Sequence, residues 1–499
     1  MEQLSLMKMP IDDYLVDVFS ADNQCDETER KLLESRYAEK LEVTEKFNRK
    51  SVSYQLSKKD TLHSWLKYKE GFSAMLVNSL LEEMGAKPGD FVMDPFVGSG
   101  TTALVCKMRG INSVVYDVMP LTDVALRAKA ACTDYDIVEL RGMLEEIKLL
   151  EMPISYQKKT SYITITKDAY PDITERYLQY IVEWRDESKY SEMAKNLLTL
   201  CIINSLESIS FTSKSGQYLS WDGRSKKVQY ANKIRSDKGK EPLPYKQVRA
   251  EILPAKDTIL RELAHVINDI EAIQQTKGEH GNAQISYIPN SVLYEVPKLP
   301  NGFLKGVITS PPYCNRYDYT RTYALELAFL GKNDDEIKKM RQDLLSCTVE
   351  SKSKIESLRE FYEQIGQIDR FNYIYDVVKS NKVLSEIINS LVKRKANGDL
   401  NNNGIIRMVE GYFTELAFLY AELYRVCACG ATVAFVNDNV RYGGEVIPVD
   451  FLSCAFAEQF GFKVKTIYAL KQKKGNSSQQ MAKFGKVALR KGITIWEKA

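Results

Sequence analysis

Histidine is scarce in this 499-residue chain, which has only His63, His265 and His280. Imidazole-based acid–base chemistry is therefore a poor first expectation. The nine cysteines are scattered, and only Cys427 and Cys429 are close. C-x-C alone is not a zinc spacing, so no metal site is expected. A disulfide framework is equally unexpected in a chain this long. No run of about 18 apolar residues occurs, which predicts no membrane span. Met1 to Pro10 has no charged stretch leading into an apolar one. That predicts a cytoplasmic protein. A G-K-[ST] phosphate loop is also missing.

What is present is ordinary for a soluble globular protein: 27% charged residues, 44% hydrophobic residues and a net charge of +3. At roughly 100–200 residues per domain, the length allows about two or three domains. Residues 1–60 are polar, and Asp26 to Lys46 reads as an exposed helix. Phe91–Asp94 and Ser113–Asp117 read as strands around a helix-like stretch, Thr101 to Arg109, which makes a βαβ unit. Further strands are expected at Gln284–Ile288, Gly306–Thr309, Ala431–Asn437, Lys463–Leu470 and Ile493–Glu497. The expected fold class is α/β: a doubly wound, seven-stranded Rossmann-like sheet with two largely helical insertions. The expected division is a helical extension (1–60), a catalytic domain (61–135, 281–331 and 405–499), one insertion at 136–280 and a second at 332–404.

Two motifs carry chemistry. In Asp94-Pro-Phe-Val-Gly-Ser-Gly-Thr-Thr102, Gly98 and Gly100 lie between a strand and a helix. Glycines there permit a tight turn and close ligand approach in front of free helix N–H groups. Asp117 ends the following strand, where a ribose-binding carboxylate sits in nucleotide folds. Without a phosphate-gripping lysine, the expected ligand is an adenosyl group lacking phosphates. The second motif, Thr309-Ser-Pro-Pro-Tyr313, follows a strand. Its prolines make a rigid, extended segment whose carbonyls lack local N–H partners. Free carbonyls, a hydroxyl and an aromatic ring suit the gripping of a planar amino group. Taken alone, this segment reads first as a plain loop with a stacked Tyr.

Together the motifs resemble those of the DNA amino-methyltransferases, S-adenosylmethionine-dependent enzymes that methylate N4 of cytosine or N6 of adenine. Asp94 to Thr102 is similar to their cofactor loop, and Ser310-Pro-Pro-Tyr313 to their catalytic loop. Tyr68-Lys-Glu-Gly-Phe-Ser73 is similar to the segment that covers the methionine end of the cofactor. Tyr116-Asp-Val-Met-Pro120 resembles the next motif, and Asn290-Ser291 stands where a further one usually carries an acid. The order, cofactor loop first, resembles the alpha arrangement of these enzymes. The resemblance implies cofactor contacts from Tyr68, Phe72, Asp94, Pro95, Phe96, Gly98, Gly100, Thr101, Thr102, Asp117 and Asn290. It implies catalytic roles for Ser310, Pro311, Pro312 and Tyr313. Ser310 and the Pro311 carbonyl would accept from the amine, and Tyr313 would stack on a flipped base. S-P-P-Y occurs mostly with N4-cytosine enzymes. N6-adenine and tRNA guanine-N2 methylation are the alternatives. Ring-carbon methylation typically uses a Pro-Cys pair, and the sequence has none.

Charge distribution points to an acidic partner. Residues 211–250 hold ten Lys/Arg against three Asp/Glu, and 471–492 hold seven Lys/Arg and no acid. The DNA-facing residues expected from these runs are Lys214, Tyr218, Trp221, Arg224, Lys226, Lys227, Lys473 and Lys474. Asn315 and Arg316 join them because they adjoin the catalytic loop. Solvated charged surface is the alternative for such runs, and helix capping is the alternative around Asp318. The insertion 136–280 is the first-ranked target-recognition region, and 332–404 is the alternative. Double-stranded DNA and a separate restriction endonuclease are the expected partners. A DNA-binding protein with a dead cofactor fold would need a damaged motif, and neither loop is damaged.

Overall fold

A computed structural model describes residues 11–58, 60–157, 164–215, 218–275, 283–471, 483–485, 487 and 489–499. Twelve strands occur among them: β1 (Leu41–Thr44), β2 (Phe91–Asp94), β3 (Asn112–Tyr116), β4 (Thr212–Ser215), β5 (Tyr218–Trp221), β6 (Ile285–Ile288), β7 (Leu304–Thr309), β8 (Cys427–Asp438), β9 (Val440–Tyr442), β10 (Glu445–Ile447), β11 (Phe462–Leu470) and β12 (Lys491–Lys498). Eight form one sheet in the order β1-β11-β12-β8-β7-β2-β3-β6. Only β12 runs antiparallel to its neighbours. The remaining strands form two hairpins, β4–β5 and β9–β10.

Each of the seven strands expected from sequence overlaps a strand of this sheet. The eighth, β1, lies in the stretch expected to be a helical extension. Its Leu41, Val43 and Thr44 are buried, and it pairs in parallel with β11. Its four residues lie within the charged stretch Asp26 to Lys46, and its partner β11 is far away in sequence, so it does not stand out. The helix before it, Thr28–Tyr37, is not the exposed element expected. Its Arg30 is fully buried and pairs with Glu386 at 2.7 Å and Glu445 at 3.0 Å. Partners so far away in sequence make a buried ionic face look like a solvated one.

Parallel strands buried on both faces need helices on both sides. On one side, Ile405–Val426 and Val449–Gln459 cover β8 and β12, where Phe435 stacks on Trp496 at 5.6 Å. Close to β2 and β3, Ala74–Glu83 and Thr101–Met108 fill a second core. A third core joins Pro120–Ala130 to Ile137–Leu149, Glu192–Ser205 and Ala255–Gln275. Residues 332–404 carry four helices, from Asp334–Asp343 to Lys382–Ala396. No helix among the described residues is long and apolar enough to cross a membrane.

Candidate active site

Parallel α/β sheets bind ligands at the carboxyl ends of their strands, where the strand order reverses. Here that point lies between β2 and β7, at Asp94 and Thr309. Asp94 is buried and bonded on both oxygens. Thr309 Oγ1 donates to Oδ1 at 2.6 Å and Thr102 Oγ1 to Oδ2 at 2.7 Å. The Phe96 N–H adds a third bond at 3.1 Å. Burial raises the Asp94 carboxyl to about 6 even against these bonds. Asp94 thus ties the Gly-rich turn, the start of Thr101–Met108 and the end of β7 to one point.

Gly98 and Gly100 adopt left-handed φ values of 51° and 89°. A Cβ on Gly98 would stand 2.9 Å from the Tyr68 ring, so the turn is closed against that ring. Tyr68 itself stacks on Tyr323 with centroids 5.0 Å apart. Behind the turn, the fully buried Lys129 donates to the Ser99 carbonyl at 3.0 Å. Burial pulls its ammonium down to about 7. Sequence reasoning missed this lysine, because a single Lys in a helix gives no signal of its burial.

In front of the turn lies a cavity of about 740 Å³, counting its open mouth. Of the expected cofactor residues, Tyr68, Phe72, Pro95, Phe96, Gly98, Thr101, Asp117 and Asn290 line it. Asp94, Gly100 and Thr102 do not; they build the turn from behind. Ser310 and Pro312 also reach the cavity. So do Asp343, Leu344 and Leu345, which come from residues 332–404 and were not foreseen. The Asp117 carboxylate accepts from Gly98 N–H at 2.9 Å and Met119 N–H at 2.8 Å. Burial raises it to about 6 despite them. Asn290 lines the rim and donates to Glu295 at 2.5 Å.

The charge of this cavity is one-sided. Among the described residues, Glu70, Asp117 and Asp343 line it, and no Lys or Arg does. Such a wall suits a cationic ligand and disfavours a polyphosphate.

A larger, open cleft of about 1790 Å³ adjoins the cavity and shares Glu70 and Gly71 with it. Tyr313 and Asn315 line the cleft, so the Ser310–Tyr313 loop stands between the two spaces. Ser310 Oγ donates to Tyr313 Oη at 3.0 Å. Pro311 is buried within the loop. Among the described residues, the cleft's cations, Arg49, Lys58, Lys67, Lys69 and Lys491, outnumber its acids, Glu70, Glu207 and Asp438. Four of these cations come from residues 49–69, outside the basic runs that sequence reasoning singled out.

Those runs fare unevenly. Lys214 is no free cation: it is buried, ion-pairs with Glu326 and lies 4.4 Å above the Tyr323 ring. Arg224 forms a two-pronged pair with Asp222, both bonds at 2.8 Å. Lys227 donates to the Ile165 carbonyl at 3.1 Å and caps the half-buried Trp221 ring at 4.2 Å. Arg316 donates to Asn401 at 2.9 Å. Lys226 is exposed. The side chain of Tyr218, and all of Lys473 and Lys474, lie outside what the structure describes. Asp318 accepts from Thr320 Oγ1 at 2.6 Å and Arg321 N–H at 3.2 Å, which is the helix-capping alternative.

Comparison with known proteins decides the family. The chain is 48% identical over 486 residues to the type II methyltransferase M.BsoBI of Geobacillus stearothermophilus, covering 97% of this chain and 95% of that protein. The chain belongs to the type II DNA amino-methyltransferases. It is 36% identical over 485 residues to the type II methyltransferase M.AvaI of Nostoc, covering 94% and 93%. A third relative, the type II methyltransferase M.MjaII of Methanocaldococcus jannaschii, is 25% identical over 55% of this chain and 63% of its own length. Residues 14–121 match the DNA methylase family model, N6_N4_Mtase. No solved structure matches the chain.

Methyltransferases of this family take their methyl group from S-adenosylmethionine. The acidic cavity, the glycine cradle closed by Tyr68 and the Asp117 carboxylate fit that cationic donor.

Proposed function

We propose that this enzyme methylates the exocyclic N4 amine of cytosine in duplex DNA, as the modification half of a restriction–modification pair. One observation carries the reading. The S-P-P-Y loop lies where an acidic cavity meets a basic cleft. An exocyclic amine is a weak nucleophile because its lone pair is delocalised into the ring. Ser310 Oγ sends its own proton to Tyr313, which leaves its lone pairs for an N–H of the amine. The Pro311 carbonyl takes the second N–H. Two acceptors held in place draw the nitrogen toward tetrahedral geometry and localise its lone pair. Tyr313 offers a ring to the base, which must leave the duplex to arrive there. Tyr68, Phe72, Gly98 and Asp117 hold the methyl donor in the adjoining cavity. When bound, S-adenosylmethionine supplies the electrophilic methyl group.

We assign target recognition to residues 136–280. Their helix Lys226–Asp237 buries none of its residues and starts at the exposed Lys226. The test is to incubate the protein with labelled S-adenosylmethionine and duplex DNA, digest to nucleosides and weigh the labelled one. N4-methylcytosine is expected. N6-methyladenine would select the adenine reading, and label in tRNA but not in DNA would overturn both.

A further inference from the structure

Two charged residues lie at the catalytic loop without a part in the chemistry described so far. Lys491 opens β12 and Asp438 closes β8, and the antiparallel register sets them opposite each other. Lys491 Nζ is 3.2 Å from Asp438 Oδ1 and 3.5 Å from Tyr313 Oη. It also lies 5.1 Å from the centre of the Tyr313 ring. Ser310 donates to that same Oη, so a continuous polar chain runs from Ser310 through Tyr313 to Lys491 and Asp438. Both charged residues line the cleft, and their side chains are only 15% and 4% exposed. Burying an ion pair costs more in desolvation than a surface pair does, so it is weak evidence for a purely stabilising role. Burial works against the charge on Lys491, yet Tyr313 and Asp438 hold its ammonium above the usual lysine range. The cation therefore persists at neutral pH.

The edge of cytosine beside its amino group reads donor, acceptor, acceptor: N4–H, N3 and O2. The matching edge of adenine reads donor, acceptor and then a C–H. An ammonium has three donors. Tyr313 engages one of them, and Asp438 pairs with the charge at 3.2 Å, which gives the ammonium a donor to turn toward the cleft. We propose that Lys491 is a specificity-determining residue that donates to the O2 side of the flipped cytosine, with Asp438 as its positioning residue. The proposal rests on the cytosine reading above. It adds the reason an amine site that would hold either base prefers one.

The experiment compares wild type, Lys491→Met and Lys491→Arg on two duplexes, one with the target cytosine and one with adenine in its place. Lys491→Met should lower kcat/KM for cytosine about 10- to 100-fold, the worth of a charged hydrogen bond. The adenine value should stay within about twofold, so discrimination collapses. Lys491→Arg should restore most of the difference, and affinity for S-adenosylmethionine, read by calorimetry, should not change. If Lys491→Met fails to fold, Asp438→Asn reads the same contact and should narrow the discrimination several-fold. An equal loss on both bases, in either variant, would overturn the proposal. Methyladenine from wild type on native DNA would instead sink the cytosine reading, whatever Lys491 does.

Discussion

Thr309 donates to Asp94 at 2.6 Å, and this bond joins the Gly-rich turn to the Ser310–Tyr313 loop. Thr309 is the last residue of β7 and precedes Ser310; Asp94 is the last of β2 and precedes the Gly-rich turn. The two loops proposed to hold cofactor and base thus share one buried carboxylate. Thr309→Val keeps the shape and removes the hydroxyl. It should cost about 1–3 kcal/mol, because a buried acceptor loses its donor. Denaturant unfolding measures that cost. Turnover should fall along with it, since Ser310 loses its anchor.

Asp94 also makes stability depend on pH. Its carboxyl is raised in the fold, from 3.8 to about 6. A raised acid contributes most to stability below its unfolded value, and that contribution is lost as pH rises through its folded one. Asp94→Asn does not titrate. Its melting temperature should therefore gain on wild type between about pH 4 and pH 6 and then hold the gain. A pH-independent difference between the two proteins would contradict the assignment.

Asp117 should matter for binding rather than for chemistry. Asp117→Ala removes the cavity's best-placed acceptor. Affinity for S-adenosylmethionine should fall about 10- to 100-fold. At saturating cofactor, kcat should stay near wild type. Calorimetry gives the first number and steady-state kinetics the second.

Lys214 and Glu326 form a buried pair, so Lys214→Met should act on folding and not on DNA. Leaving Glu326 charged and unpaired costs about 3–5 kcal/mol. The double variant Lys214→Met with Glu326→Leu should recover much of it. By contrast, Arg49→Ala, Lys58→Ala and Lys67→Ala remove exposed cations of the cleft. Each variant that deprives a phosphate of its cation should lower the salt slope of DNA binding by about one. A Lys214 variant that folds and changes that slope would restore Lys214 as a DNA contact.

Sequence was legible where the signal is local. Gly98 and Gly100, the acid that ends β2, the acid just past β3, and the S-P-P-Y loop each occupy a few adjacent residues, and their backbone needs can be read directly. The seven expected strands announced themselves as short apolar runs. What sequence reasoning missed depends on distant partners. Lys214 looks like any basic residue until β4 brings it to Glu326. Lys491 meets Asp438 only across the β8–β12 register. Asp343 to Leu345 reach the cavity from a stretch read as a separate helical insertion. A charge count along the chain cannot tell a phosphate contact from half of a buried pair.

The most direct test of methyl transfer at the meeting of cavity and cleft is Ser310→Ala, with turnover and cofactor affinity measured on the same preparation. Removing an acceptor used only in the transition state should cut kcat by about 100-fold or more and leave the S-adenosylmethionine Kd within about twofold. Equal losses in both, or an unchanged kcat, would contradict the account.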